Sequence, residues 1–278
     1  FIDHHSVIFC ILAVFSMSMA ILSKKNFFWF LIPVLLTLSF FSKQIPSPYF
    51  SVLFAIFIII FFFIEKKVDK NIIISLFIGI FFSLFLVSSF FFVNEIPLKN
   101  FLVQYIYYPL SLGNERINKL DVDYKNLIGQ FKFIYLAAIP LIISTYFLVK
   151  SKKKNNNLKN ELIISILFLF SIIILIYCQL LTKNQILIYF LIPVTAAYSH
   201  CYVLKYFNKK YLVYMILAIF VFTTIKYHIR FNENRKFIEL ADVDLSLSVK
   251  AKLLDERLKG LNWITPHFPK EPSKEINL

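Results

Sequence analysis

The chain has 278 residues, 59% of them hydrophobic and 18% aromatic, with a formal net charge of +14 and a mean hydropathy of +0.71. A soluble domain is about 45–50% apolar, so a water-soluble globule is excluded: too few polar residues remain to cover this many apolar segments. The positive charge does not indicate nucleic acid either, because the lysines fall in short links between apolar runs, where they face lipid headgroups and orient helices.

Apolar runs of membrane-crossing length predict about eight helical spans, near residues 6–22, 27–42, 49–64, 72–93, 132–149, 161–181, 186–204 and 211–228. The expected fold is therefore all-α, a multi-pass transmembrane helical bundle over 1–228, followed by an outside-facing soluble segment over 229–278. Phe1 opens inside an apolar pattern with no charged leader before it, which predicts further helices upstream, and Lys274–Leu278 predicts continuation downstream.

The links alternate. Lys24-Lys25, Glu65–Lys70, Lys150–Lys159 and Lys205–Lys210 are lysine-rich; Lys43–Pro48, the long 94–131 loop and Thr182–Gln185 are poorer in Lys and Arg. The positive-inside rule assigns the first set to the cytoplasm. Both visible ends are then extracytoplasmic, in a plasma (inner) membrane, as an even number of spans requires.

The second span is short. Phe27–Phe41 rises about 23 Å at 1.5 Å per residue, against a hydrocarbon core near 30 Å. Lys43-Gln44 is thus placed at or just below the outer interface, where Pro46 and Pro48 interrupt the helix. Irregular backbone at that depth must be buried in protein or line a wet cavity. Leu98–Tyr108, in the long loop, reads as an amphipathic helix lying along the interface or packed over helix ends. Further on, Ser246–Lys259 carries Leu247, Ala251, Leu254 and Leu258 on one helical face, with Gly260 as its terminator, and Leu261–Pro269 reads as extended.

Three polar clusters fall on the outer side. Asp3-His4-His5 opens the first span. Ionisable groups at membrane depth are costly, and this trio suits metal ligation, anion binding by protonated imidazole, or general-base work, against a solvated helix start capped by Asp3. Lys43, with Gln44 beside it, suits a phosphate; a lysine reaching toward headgroups is the plainer alternative. Lys183-Asn184-Gln185 caps a tight outer turn. Asp121-Val122-Asp123 has the spacing of a metal chelator for a sugar nucleotide but lies on the wrong side for one and reads as structural, Glu115-Arg116 stays open, and His200, His228 and the apolar-flanked Cys10, Cys178 and Cys201 read as structural. No phosphate-loop, dinucleotide, zincin or serine-hydrolase motif is present in the sequence.

The run FIDHHSVIFCILAVFSMSMAI, its KK link, and FFWFLIPVLLTLSFFSKQIPSPY resemble the central helices of GT-C-type membrane glycosyltransferases; TKNQILIYFLIPVTAAY resembles a later helix of that family. The resemblance covers about residues 1–205. It implies transfer of a sugar from a polyprenyl-phosphate donor to a glycan, lipid or protein acceptor on the extracytoplasmic face. It maps Asp3 and His4 onto a metal- or donor-phosphate-binding position, which brings in a divalent metal ion, and Lys43 onto a phosphate contact. His5, Gln44 and Lys183 extend the donor-phosphate set. The family's general base lies in a loop before these helices, so no base is named here, Asp3 and His4 being the remaining catalytic candidates. The competing readings are a transporter or flippase and a non-catalytic polysaccharide-assembly protein. The expected partners are membrane lipids and the lipid-linked donor, with no nucleic acid.

Overall fold

A computed structural model describes residues 2–118, 123–150, 156–182, 187–206, 210–229, 246, 248–253 and 256–263. What it describes is all-α and 88% helical. The main helices are α1 (Ile2–Ser23), α2 (Asn26–Ser42), α3 (Ser47–Glu65), α4 (Lys70–Val93), α5 (Leu98–Phe101), α6 (Tyr108–Asn118), α7 (Lys132–Lys150), α8 (Asn156–Thr182), α9 (Leu187–Tyr206) and α10 (Lys210–Ile229). A π-helical stretch, Leu102–Tyr107, joins α5 to α6, and a second, Lys125–Gly129, precedes α7.

Among the described residues, each of the eight apolar runs is helical. Among the described residues, five helices are long and apolar enough to cross a membrane: His4–Ser23, Ser47–Glu65, Lys70–Val93, Lys132–Lys150 and Leu158–Thr182. Asn26–Ser42 and Val213–His228 are apolar but shorter. The chain divides into two compact units, Phe1–Thr223 and Thr224–Leu278.

In the first unit, α1 and α2 form an antiparallel pair: Ser6 meets Ser39 near one end, and Ser16 Oγ donates to Phe28 O at 2.7 Å near the other. α3 folds back along α2, with Trp29 against Phe61 at 5.6 Å. α4 runs parallel to α2, with Phe30 against Phe82 and Phe41 against Phe91. α8 lies antiparallel to α3, since Tyr49 packs on Tyr177 and Phe57 on Phe170. α9 packs on α7, and Ser199 Oγ donates to Ala137 O.

This topology gathers described residues of the lysine-rich links, or residues next to those links, at one end. Lys24, Glu65, Lys67 and Asp69 line one cleft there. At the same end, Glu161 at the start of α8 bonds Lys205 at the end of α9 and accepts at its backbone oxygen from Tyr202 Oη. The opposite end holds the start of α1, the link between α2 and α3, the end of α4 and the end of α8. We call it the hinge end.

The second unit corrects one expectation. Ser246–Lys259 is not a single amphipathic helix. Val249–Lys250 (β1) pairs antiparallel with Asn262–Trp263 (β2), Val249 opposite Trp263, and two short 3-10 turns, Ala251–Leu253 and Glu256–Leu258, lie between them. An isolated helix of that length is marginal, and a β-branched residue opposite an aromatic favours a strand pair. Gly260 does take the terminator's left-handed conformation, at φ +95.

Candidate functional site at the hinge end

Two of the three polar clusters converge through backbone bonds. α2 stops at Ser42 because Lys43 leaves the helix with φ −161 and ψ 138, while its N–H still reaches Ser39 O at 2.9 Å. The Lys43 carbonyl is met by Ser6 Oγ at 3.2 Å, one residue after His5. Ser39 Oγ donates to Ser6 O at 2.9 Å and lies 2.9 Å from Ser6 Oγ; Cys10 Sγ is 3.1 Å away. Each hydroxyl carries one proton, so Ser39 bonds the α1 backbone while Ser6 bonds the hinge. The first turns of α1 are thereby tied to the end of α2.

The hinge backbone is held in the same way. Ser47 Oγ donates to Leu36 O at 2.8 Å, and Pro46 and Ser47 are buried. Tyr105, from the π-helical stretch, donates its hydroxyl to Phe40 O at 2.7 Å and accepts at its own carbonyl from Gln44 Nε2 at 3.3 Å. The irregular backbone is therefore buried at Pro46 and Ser47, while Lys43, Gln44 and Ile45 are half-buried and Pro48 is exposed. Gln44 serves this architecture. The phenol of Tyr105 is held above its ordinary pKa by burial.

The remaining predicted residues fall differently. His4 is half-buried and His5 exposed on the first turns of α1, and Lys43 is half-buried. Asp3 lies in α1, but its side chain is outside the described residues, as are Lys183, Asn184 and Gln185 and the Glu115 and Arg116 side chains. The end of α8 at Thr182, immediately before Lys183, is at the hinge end by its antiparallel run along α3. Asp123 is exposed, while Asp121 and Val122 lie outside the description. His200 sits in α9 toward the lysine-rich end, away from His4. Among the described residues, no three His, Cys, Asp or Glu side chains gather as a metal site. His4 alone of the two proposed metal ligands has a described side chain, so a metal at that position has no described ligand set.

Beside this hinge lies a groove of about 910 Å³ between α2, α3 and α4. α3 and α4 both pack on α2 and scarcely touch each other, so α2 is the floor and the two others are separate walls. Pro33, Leu36 and Phe40 lie along the floor; Phe54 and Ile58 belong to one wall, Ile80 and Leu84 to the other. Leu98 and Phe101 close the hinge end, where Phe101 stacks on Phe41 at 5.7 Å and packs on Phe91 at 4.8 Å. The groove is more apolar than its hydroxyls suggest. Ser51 and Ser83 donate to Ser47 O and Gly79 O on their own helices, the back-bonding that hides a hydroxyl inside an apolar helix.

Gly79 sets the floor-to-wall distance. A Cβ added there would lie 2.4 Å from Phe30 O and 2.6 Å from Pro33 Cγ. Only glycine lets α4 approach α2 this closely, the small-residue packing that holds helices together in lipid.

Sequence reasoning missed Ser6, Ser39, Tyr105 and the groove. A signal existed for the serines, since small hydroxyl residues within apolar runs mark helix contacts in membranes. The groove left none, because it depends on two helices that diverge.

The fold and this site define an all-α protein whose long apolar helices suggest a membrane protein, with a largely apolar groove beside the hinge that carries Lys43. No protein-family model matches the chain, and comparisons with curated proteins and with solved structures return no match.

Proposed function

We propose that the chain is the membrane part of a glycosyltransferase that takes its sugar from a polyprenyl-phosphate donor on the extracytoplasmic side, with about eight spans and the lysine-rich links in the cytoplasm. The observation that carries this reading is the adjacency of the groove and the hinge. A largely apolar channel of about 910 Å³ ends at Phe40, Phe41, Ser47 and Pro48, the residues that flank Lys43. Ser6 binds the Lys43 carbonyl, so the imidazoles of His4 and His5 are anchored to the same end. Such a site accepts an isoprenoid chain along the groove and an anionic head at its mouth.

This reading implies the following chemistry. An acceptor hydroxyl attacks the anomeric carbon of the donor sugar, the bond from that carbon to the phosphate oxygen breaks, and the hydroxyl proton passes to a base. Negative charge grows on the departing phosphate. A lysine ammonium and a protonated imidazole supply the cationic stabilisation that makes a lipid phosphate a competent leaving group. Exclusion of water by the apolar walls strengthens that attraction.

The test is binding of a polyprenyl phosphate to the intact chain in detergent, followed by native mass spectrometry. Lys43→Ala should weaken retention about tenfold, the worth of one charge-assisted contact of about 1.4 kcal/mol. The uncharged polyprenol should bind both proteins alike. Undiminished phosphate retention by Lys43→Ala would remove Lys43 from the phosphate site, and absence of any prenyl binding would remove the reading itself.

A further inference from the structure

At the lysine-rich end, a second and separate cleft lies between the end of α1, the start of α2, the end of α3 and the start of α4. It has a volume of about 130 Å³ and is lined by Lys24, Lys67, Glu65 and Asp69, with Trp29 and Phe61 beneath them. At about 30 Å³ per water in the liquid, that is space for about four waters, or for a phosphate with a short amine arm.

Three observations distinguish this cleft from an ordinary charged surface. First, its charges are balanced yet unpaired: neither lysine forms an ion pair with Glu65 or Asp69, and the described ion pair in this unit is Lys205–Glu161. Asp69 Oδ1 instead accepts from Asn71 N–H at 2.9 Å as the cap of α4. Second, two of the links are bent by lysines in the left-handed region, Lys24 at φ 56 and Lys66 at φ 53. Glycine takes that conformation without cost, whereas a lysine costs about 1–2 kcal/mol there. Third, the cleft opens where four apolar helices stop. Trp29 at its floor is 1% exposed, and Ile72 continues the lining toward the apolar face of α4.

We infer that this cleft binds the headgroup of a zwitterionic aminophospholipid of the phosphoethanolamine type. Lys24 and Lys67 receive its phosphate, and Glu65 and Asp69 receive its primary ammonium. The balance of two cations and two carboxylates fits a headgroup carrying both signs. An anionic glycerol headgroup would leave the carboxylates facing like charge. A phosphocholine would fill more of the small volume and offers no N–H to either carboxylate. The position at the helix ends places the lipid's chains beside apolar surface, where they belong.

The intact chain is purified in detergent, exposed to equal amounts of phosphatidylethanolamine, phosphatidylglycerol and phosphatidylcholine, and examined by native mass spectrometry. The ethanolamine lipid should be retained about tenfold over each of the others, since one lost charge-assisted contact of about 1.4 kcal/mol is tenfold. Glu65→Gln makes the cleft net positive and should exchange the preference, so that phosphatidylglycerol is retained at least equally. Lys24→Ala with Lys67→Ala should remove retention of both. Helix content by circular dichroism checks that the double variant folds; if it does not, the Glu65→Gln exchange alone decides. Equal retention of the three lipids by the unaltered chain, or an unaltered preference in Glu65→Gln, would overturn the inference.

Discussion

Two seams run along α2, and they are held by opposite means. Toward α1 the contact is polar: Ser39 binds Ser6 O, Ser6 binds Lys43 O, and Ser16 binds Phe28 O. Toward α4 it is a matter of shape: Gly79 brings the α4 backbone against Phe30 and Pro33. In water both seams would be driven by apolar burial. Among lipid tails that force between helices is absent, and close packing and interhelical hydrogen bonds remain. The difference between the seams has a structural counterpart. Of the α1 window, 56% is buried, against 17% of the α4 window. α1 is wedged among several helices, whereas α4 leans on α2 and leaves its other sides to form a groove wall and face lipid.

The shape-dependent seam should be the more fragile. Gly79→Leu should cost about 3 kcal/mol or more, and Gly79→Ala about 1–3, because overpacking against backbone cannot be relieved by a rotamer change. Loss of helix content during denaturant titration in micelles measures both. Ser39→Ala should cost roughly 0.6–1.7 kcal/mol, the range of single hydrogen bonds between helices in membranes. A Ser39→Ala cost above that of Gly79→Ala would reverse the ranking of the seams.

Tyr105→Phe keeps the stacking on Phe41 and Phe101 but deletes the bond to Phe40 O. It should cost about 1 kcal/mol. The change should appear as faster amide exchange over residues 98–107 before any shift in global unfolding. The smallest effect is on pH. Burial raises the Tyr105 pKa, so the folded form holds the phenolic proton more tightly than the unfolded form. The stabilisation is complete below the ordinary value of about 10 and is lost as pH climbs from there through the raised folded value. The denaturant midpoint should fall across that alkaline range by more in the native chain than in Tyr105→Phe.

The sequence disclosed what depends on runs and breaks. Eight apolar stretches became helices because a chain this poor in polar residues has no other way to satisfy its backbone. The short second helix and its stop before Pro46 followed from length and proline chemistry, while the sequence left open whether the hinge is buried or lines a cavity. Gly79, a lone glycine in an apolar span, was passed over in the sequence although its position is a mark of close approach. What stayed hidden depends on placement in three dimensions. The separation of α3 from α4, which makes the groove, has no local signature. The π-helical turn that brings Tyr105 onto Phe40 adds a residue per turn without an obvious breaker. The 246–259 segment misled because its leucine spacing fits a helix, while the pairing of Val249 with Trp263 is a non-local contact.

The separation of α3 from α4 has a kinetic consequence. With Ile80 and Leu84 half-exposed along one wall, the groove is open along its side. A hydrocarbon chain reaching it travels in two dimensions, sideways from neighbouring lipid, and never crosses water. Occupancy would then follow the ligand's mole fraction among its neighbours and the viscosity of the surrounding bilayer, so stiffening that bilayer should slow capture while leaving the equilibrium affinity nearly as it was.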